Sequence, residues 1–366
     1  MSKYEYDIIV LGPYPNESNI KDGMKQRIAA IDKIMKEKRR LYADISMKKK
    51  FFQDDEPVRL DDNLYFVQLN RLKTYKVIFS SKKIYIHSLL NIYKAMPWIL
   101  FTKAEIFFDM HGIVPEEELF SGRYYKSFVL GLVQKLFFRI KKNINIIYVT
   151  QSMRDYMRRK YRFSANDFIV PVFPDNLINI EIDENKVNSV KEKFRIKDDD
   201  VVFIYSGNAQ KWQNIHLMLE TIKLIATNDR YKFIILTGEY EKFKNLLESY
   251  GLKSNENIFL ESVLPEELSS YYKLSHYGFL LRDKHVLNNV ACPTKAIEYL
   301  TYGIIPVVLE ENIGDFNSFG YEYIHIDDLK KLNLEPRKST KNIEIAVSLK
   351  EKSDIDKLER KLKASC

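Results

Sequence analysis

The segment Pro293-Thr294-Lys295-Ala-Ile-Glu298-Tyr299-Leu300 places one carboxylate one turn inside a helix that a proline opens. The apolar run Tyr277 to Leu281 precedes it and Gly303-Ile-Ile-Pro306-Val307-Val308 follows, so the pattern predicts strand, loop, helix, strand. The N–H groups of Thr294, Lys295 and their neighbours then lie at a helix N-terminus, where the dipole favours phosphate. Glu298 cannot favour a phosphate, but a carboxylate accepts two hydrogen bonds, which suits the vicinal hydroxyls of a ribose. Together these residues have the chemistry of a nucleotide site.

Three other clusters carry similar chemistry. Tyr205-Ser206-Gly207-Asn208 runs from a strand into a glycine, with Lys211 and a helix from about Trp212 beyond it. The backbone approaches a ligand closely at Gly207 while Lys211 supplies positive charge; the alternative is a plain turn glycine and a solvated lysine. Phe107-Phe108-Asp109-Met110-His111-Gly112 ends an apolar strand. It sets His111 against a sugar hydroxyl or phosphate, with Gly112 making room for the ligand, or else it is a capping Asp109 beside a packed histidine. After the first strand, Gly12-Pro13-Tyr14-Pro15 leads to Asp22-Gly23 and an amphipathic helix that Asp22 caps. Gly12 and Gly23 lie too far apart for the dinucleotide GxGxxG fingerprint, which argues against a nicotinamide dehydrogenase.

Pro293-Thr294-Lys295-x-x-Glu298-Tyr299-Leu300-x-x-Gly303-x-x-Pro306-Val307 resembles the nucleotide-sugar signature of GT-B glycosyltransferases, in particular the family 4 branch of bacterial surface polysaccharide synthesis. With the other clusters the resemblance runs from about Ile8 to Val308. It implies an α/β chain of two Rossmann-like domains facing each other across a cleft. The implied donor contacts are Gly23, Gly207, Lys211, Asp283, Asn289, Pro293, Thr294, Lys295 and Glu298, and the implied catalytic residues are His111, Asp109 and Arg282. It further implies transfer of a sugar, with retention, from a nucleotide diphosphate to a saccharide or lipid-linked acceptor in capsule, O-antigen or exopolysaccharide synthesis. Many members carry a second glutamate eight positions before the ribose-binding one, and here that position is Val290. In the same loop Arg282, Asp283 and Asn289 are polar groups for sugar hydroxyls, and Arg282 also offers bidentate donors to a diphosphate; the alternative is a strand-end ion pair between Arg282 and Asp283. His285 and Cys292 receive no role.

These clusters need strands to end beside them. Apolar runs at Tyr6 to Leu11, Leu64 to Leu69, Lys83 to His87, Glu105 to Asp109, Ile144 to Val149 and Ile169 to Phe173 alternate with helical segments in the first half. In the second half the runs are Val201 to Tyr205, Phe233 to Leu236, Ile258 to Leu260, Gly278 to Leu281 and Ile305 to Leu309. Such alternation predicts parallel sheets. Pro171-Val-Phe-Pro174 and the polar Glu181 to Asn185 mark a connection, giving domains 1–174 and 175–343 and a charged terminal helix over 344–363 that, by the resemblance, packs back on the first domain.

Composition narrows the remaining classes. A chain of 366 residues, 45% of them apolar, supports two cores. Fifty-eight basic against fifty acidic residues leave a net charge of +8, which favours an anionic partner, yet no helix-turn-helix, zinc spacing or RNA-binding motif points to nucleic acid. The acidic groups Asp54-Asp55-Glu56, Asp61-Asp62, Asp198-Asp199-Asp200 and Asp327-Asp328 read as turns, and none follows an apolar strand as a diphosphate-binding DxD does, so a site without metal or other cofactor is expected. Cys292 and Cys366 have no ligand spacing, and no signal peptide or membrane span is legible, so a cytoplasmic protein is expected. Tyr124 to Lys142 mixes aromatic, aliphatic and cationic residues over a helical length. It is either a surface for an anionic membrane or a core helix with snorkelling cations. A GT-B epimerase acting on the nucleotide sugar and a nucleotide-sugar-binding subunit without activity are the alternatives to a transferase.

Overall fold

The computed structural model describes residues 6–15, 23–48, 56–80, 82–142, 144–173, 182–264, 267–331 and 333–364. The expected cap Asp22, the acids Asp54 and Asp55, Pro174 and Cys366 lie outside them. The chain forms two compact units, Met1–Pro171 with Ser353–Cys366, and Val172–Lys352.

Unit 1 holds an eight-stranded sheet of β1 Ile8–Leu11, β2 Arg40–Ser46, β3 Val58–Asp61, β4 Leu64–Asn70, β5 Lys83–His87, β6 Glu105–Met110, β7 Asn145–Tyr148 and β8 Asn166–Ile169. Their order is β3-β4-β2-β1-β5-β6-β7-β8, and β3, antiparallel to β4, is the exception in a parallel sheet. Unit 2 holds β9 Val201–Ser206, β10 Tyr231–Leu236, β11 Ile258–Glu261, β12 Tyr277–Leu280, β13 Ile305–Val308 and β14 Ile324–His325, ordered β11-β10-β9-β12-β13-β14 and parallel throughout. In both sheets the chain order reverses at one place, between β1 and β5 and between β9 and β12. The crevice outside the carboxyl ends of the strands at such a switch point is where doubly wound sheets take ligands.

Several elements depart from the sequence reading, β3 and β14 among them as strands it does not predict. β2 escaped it because it opens on Arg40, a charged residue 3% exposed. Arg40 is admitted to the core by Asp32, whose two oxygens accept from its Nε at 2.6 Å and its second terminal nitrogen at 2.7 Å. β8 lies at Asn166–Ile169, before the expected Ile169 to Phe173, since the polar Asn166 and Asp167 supply its first two rungs on β7. Pro293 is the residue before the helix Thr294–Thr301, and its carbonyl accepts from Ala296 N at 3.0 Å. The terminal helix over 344–363 is two helices, Thr340–Glu351 in unit 2 and Ile355–Lys363 in unit 1.

The second of these belongs to the first unit's core. Leu358 and Leu362 pack with Ile8, Tyr85 and Phe168. Asp354 and Ile169 exchange two hydrogen bonds of 2.9 Å, and Lys83 Nζ donates to the carbonyls of Lys361 and Leu362 at 2.9 Å. A buried cation on the last carbonyls satisfies groups that a helix end leaves open and complements the dipole.

Two apolar clusters pack within unit 2: one gathers Ile204, Tyr272, Tyr299 and Val308, the other Phe203, Leu219, Phe279 and Val307. Gly278 in β12 lets the helix Thr294–Thr301 approach, for a Cβ there would lie 2.4 Å from the Tyr299 ring. Gly278→Ala should therefore displace Tyr299 and lower unfolding stability by about 1–3 kcal/mol; an unchanged urea midpoint would show that the helix shifts without cost.

Candidate functional site

In unit 1 the switch-point residues form one buried cluster. β5 and β6 pair with His87 opposite Asp109 and Tyr85 opposite Phe107, so alternation puts these four side chains on one face. The helix Gly23–Ile34 covers that face and inserts Arg27. Arg27 donates to Asp109 Oδ1 from Nε at 2.9 Å and from a terminal nitrogen at 2.7 Å, and its other terminal nitrogen donates to the Val170 carbonyl at 2.7 Å. Tyr85 donates its hydroxyl to Asp109 Oδ2 at 3.0 Å. His111 Nε2 lies 3.2 Å from the same oxygen and 3.1 Å from His87 Nδ1.

Electrostatics follow from this packing. Burial pushes the Asp109 carboxyl up, but Arg27 and then His111 outweigh it and hold the group well below the usual carboxylate range. Burial takes His87 down to about 4 against the pull of Asp109, so it is a neutral imidazole at neutral pH. His87, Asp109 and His111 bring three metal-competent atoms within 4.8 Å of one another. Arg27 already neutralises the single carboxylate, so a dication would add charge to a buried group with none to spare, and the triad fits a hydrogen-bonded network better than a metal centre. His111 Nδ1 and His87 Nε2 are buried with no partner among the described residues. Gly12 borders the cluster, its Cβ position 3.4 Å from His87. At Gly112 the room expected for a ligand is taken by Glu117, whose Oε1 lies 2.0 Å from where a Cβ would be. Gly23, read as a donor contact, opens the helix that carries Arg27.

In unit 2 the other switch point gathers Gly207, Lys295, Glu298 and the residues that hold them. Gly207 has φ +146°, which favours glycine, and its Cβ position lies 3.3 Å from Lys295 Nζ and 3.3 Å from the Tyr205 hydroxyl. Lys295 Nζ sits 3.8 Å from the Tyr205 ring centroid and donates to Gln213 Oε1 at 3.2 Å. Glu298 accepts from the Tyr272 hydroxyl at 2.8 Å, and that hydroxyl lies 2.6 Å from Ser206 Oγ. Burial raises the Glu298 carboxyl, while Tyr272 and Lys295 oppose the rise. Lys295 is depressed far below a normal lysine by burial and by Arg282, with Glu298 opposing. Arg282 is lowered to about 10 by burial, and its Nε is buried without a partner among the described residues. Two crowded cations beside one carboxylate leave an electrostatic deficit that an anion would relieve.

The remaining sequence candidates spread around this core. Thr294 is the first residue of the helix Thr294–Thr301, after Pro293. Lys211 opens an exposed 3-10 turn ending in Gln213, the partner of Lys295, so the cation against Gly207 is Lys295. Asp283 accepts from Asn214 Nδ2 at 3.0 Å, and no ion pair joins it to Arg282 among the described contacts. Asn289 lies in a short helix, Val286–Asn289, with its amide facing the carbonyls of Asn312 and His285, to which the nitrogen donates at 3.1 Å when the amide is assigned so as to satisfy both. Val290 follows it, buried at 4%. Arg27, Tyr85, His87 and Tyr272 were not singled out from sequence. The signal for two of them was present, since Lys83-Ile-Tyr85-Ile-His87 alternates polar-tipped and aliphatic residues within a run otherwise read as simply apolar.

Removing the Asp109 charge isolates Arg27 in the core. Asp109→Asn should cost about 3–5 kcal/mol, seen as a fall in thermal midpoint of several degrees. A midpoint equal to wild type would mean that Arg27 reaches water in the folded state.

Residues 187–314 match the model of the glycosyl transferases group 1 family. No curated protein matches the chain by sequence. Among solved structures, the α,α-trehalose-phosphate synthase (UDP-forming) of Burkholderia vietnamiensis is similar with a TM-score of 0.66 at 11% identity, over 98% of both chains. HepE of Anabaena, solved with UDP and glucose, gives 0.65 at 10% identity over 98% of both. WaaG, a glycosyltransferase involved in lipopolysaccharide biosynthesis, gives 0.64 at 10% identity over 98% of this chain and all of its own. The stretch 187–314 therefore matches the glycosyl transferases group 1 family, and the chain as a whole has the GT-B fold of these glycosyltransferases.

Proposed function

We propose that the protein transfers a sugar, with retention and without a metal, from a nucleotide diphosphate to a saccharide or lipid-linked acceptor in the synthesis of a bacterial surface polysaccharide. The observation that carries this reading is the pairing of two crowded cations, Lys295 and Arg282, with the buried carboxylate Glu298 at one switch point. A diphosphate relieves the cations, and the N-terminus of the helix Thr294–Thr301 adds backbone donors. These groups also meet the charge that grows on the departing diphosphate, which is the task a metal otherwise performs. Glu298, braced by Tyr272, takes the ribose hydroxyls. In unit 1 the ionised Asp109 accepts from His111 Nε2, which leaves Nδ1 as a lone-pair acceptor for a sugar hydroxyl.

The helix Tyr124–Ile140 supports work at the inner face of a membrane. It buries Leu130, Gln134, Phe137 and Phe138 and leaves Tyr125, Phe128, Leu132, Leu136 and Ile140 between 44% and 82% exposed. Among the described residues no helix is long and apolar enough to cross a membrane, so this contact would be peripheral.

Calorimetric titration with uridine, guanosine, cytidine and thymidine diphosphates and their sugars, with magnesium and with chelator, tests the donor reading. One base should bind equally in both conditions. Glu298→Gln should weaken that binding about tenfold to a hundredfold while the thermal midpoint holds, as expected for a lost hydrogen bond to a charged group. His111→Ala should lower turnover about tenfold or more and leave donor affinity alone. Wild-type affinity in the first variant removes Glu298 from the ribose, and wild-type turnover in the second returns His111 to structure.

A further inference from the structure

At the other end of unit 1, the C-terminal turn of the helix Tyr124–Ile140 and that of the helix Gln151–Tyr161 border a cavity of about 530 Å³. Asn166, where β8 begins, lines it, so it opens at the amino ends of the strands, away from the carboxyl ends that carry Asp109 and His111. Its walls include the aromatics Phe138 and Phe163, stacked with centroids 4.0 Å apart. Five cations line it, Lys135, Arg139, Lys141, Lys142 and Arg162, and no acid is among the described lining residues. Lys141 is tied to the Thr102 carbonyl and depressed by burial. Cations gathered without a carboxylate repel one another, a cost that a bound anion reverses.

The exposed stripe of the helix Tyr124–Ile140 lies beside this cavity. Leu132, Leu136 and Ile140 follow one another at four-residue spacing, and Lys135 and Arg139, the residues directly before Leu136 and Ile140, belong to the cavity wall. Apolar surface bordering a basic pocket matches a molecule with hydrocarbon joined to phosphate. A free nucleotide or inorganic phosphate would use the pocket and leave the stripe in water.

We propose that this cavity is a headgroup site for an anionic membrane phospholipid, with the lipid phosphate among Arg139, Lys142 and Arg162 and the acyl region against the stripe. This rests on the membrane-facing reading of the helix Tyr124–Ile140 and assigns it a specific lipid contact, so the charge of the headgroup determines affinity. The site docks the protein and takes no part in sugar transfer.

Co-sedimentation of the full chain with vesicles of phosphatidylcholine alone, or mixed with phosphatidylglycerol, tests the assignment. Wild type should bind the mixed vesicles far better, with salt weakening the binding. Lys142→Gln with Arg162→Asn removes two cavity charges off the stripe; asparagine tolerates the left-handed backbone at residue 162, where φ is +48°. This pair should bind mixed vesicles about twenty-fivefold more weakly, since each cation near an anionic surface contributes about fivefold. It should keep the thermal midpoint and the weak binding to pure phosphatidylcholine. Phe128→Ser with Leu132→Ser should weaken binding to both vesicle types. If the charge pair binds mixed vesicles as wild type does while the serine pair fails, the headgroup site is overturned and the membrane-facing helix stands. If wild type binds neither vesicle, or the serine pair binds as wild type does, the underlying membrane reading falls, and the headgroup site with it.

Discussion

Asp109 is completely buried and ionised, and unit 1 is arranged around the need to keep it so. A lone carboxylate in that position would cost several kcal/mol or take up a proton. Arg27 prevents this by reaching from the covering helix, and in doing so it fixes where that helix lies on the sheet. The same guanidinium donates to the Val170 carbonyl at the point where the unit ends. Both histidines then lean on a charge that the helix and strands have already paid to bury. Their orientation is inherited from the ion pair, and the tautomer of His111 follows from the acceptor at its Nε2.

Unit 2 has the opposite balance at its own switch point. Its buried carboxylate, Glu298, accepts from the Tyr272 hydroxyl, which Ser206 meets in turn, while the cations Lys295 and Arg282 lie nearby without an ion pair of their own among the described contacts. One switch point is charge-compensated within the protein and rigid; the other is left electrostatically open. On the proposed reading, that difference suits the first to orienting an imidazole and the second to receiving a diphosphate. Both depend on a glycine where the first strand of the switch ends, Gly12 after β1 and Gly207 after β9, because side chains from the facing strand or helix come within van der Waals reach of the backbone there.

The parallel sheets were legible because their strands are unbroken apolar runs, as strands covered on both faces must be. What hid β2 was Arg40, a charged residue whose burial is made tolerable by Asp32 on the preceding helix, and what displaced β8 was Asn166 and Asp167, polar residues that its edge position leaves exposed or half-buried. Hydropathy cannot see such partners. The same limit explains the site. Glu298 and His111 stand out locally, one inside a proline-opened helix and the other before a glycine. Arg27 looks like any surface lysine or arginine of an amphipathic helix until the helix is placed on β5 and β6. Lys211 was the visible cation near Gly207, yet Lys295, on the helix already identified, is the one that packs against it, since the return of the chain over the sheet is not written in the local spacing.

The loop after β12 shows how a departure from the family pattern can be absorbed. Asp283 accepts from Asn214, and its carbonyl accepts from Asn288 Nδ2 at 2.7 Å, so the loop is braced from within. Asn289 directs its amide nitrogen to two loop carbonyls. Val290 closes the short helix with an apolar side chain in the core, and a glutamate there would have to leave the core or bring a partner with it. The group in this loop with buried, unspent donor capacity is Arg282, at its Nε. A guanidinium and a carboxylate offer a sugar different things: the first donates only, the second accepts only. On the proposed donor reading, a loop that has lost the acceptor at Val290 and keeps the donor Arg282 favours oxygen lone pairs and negative charge, which places its contribution on the diphosphate more than on the sugar hydroxyls.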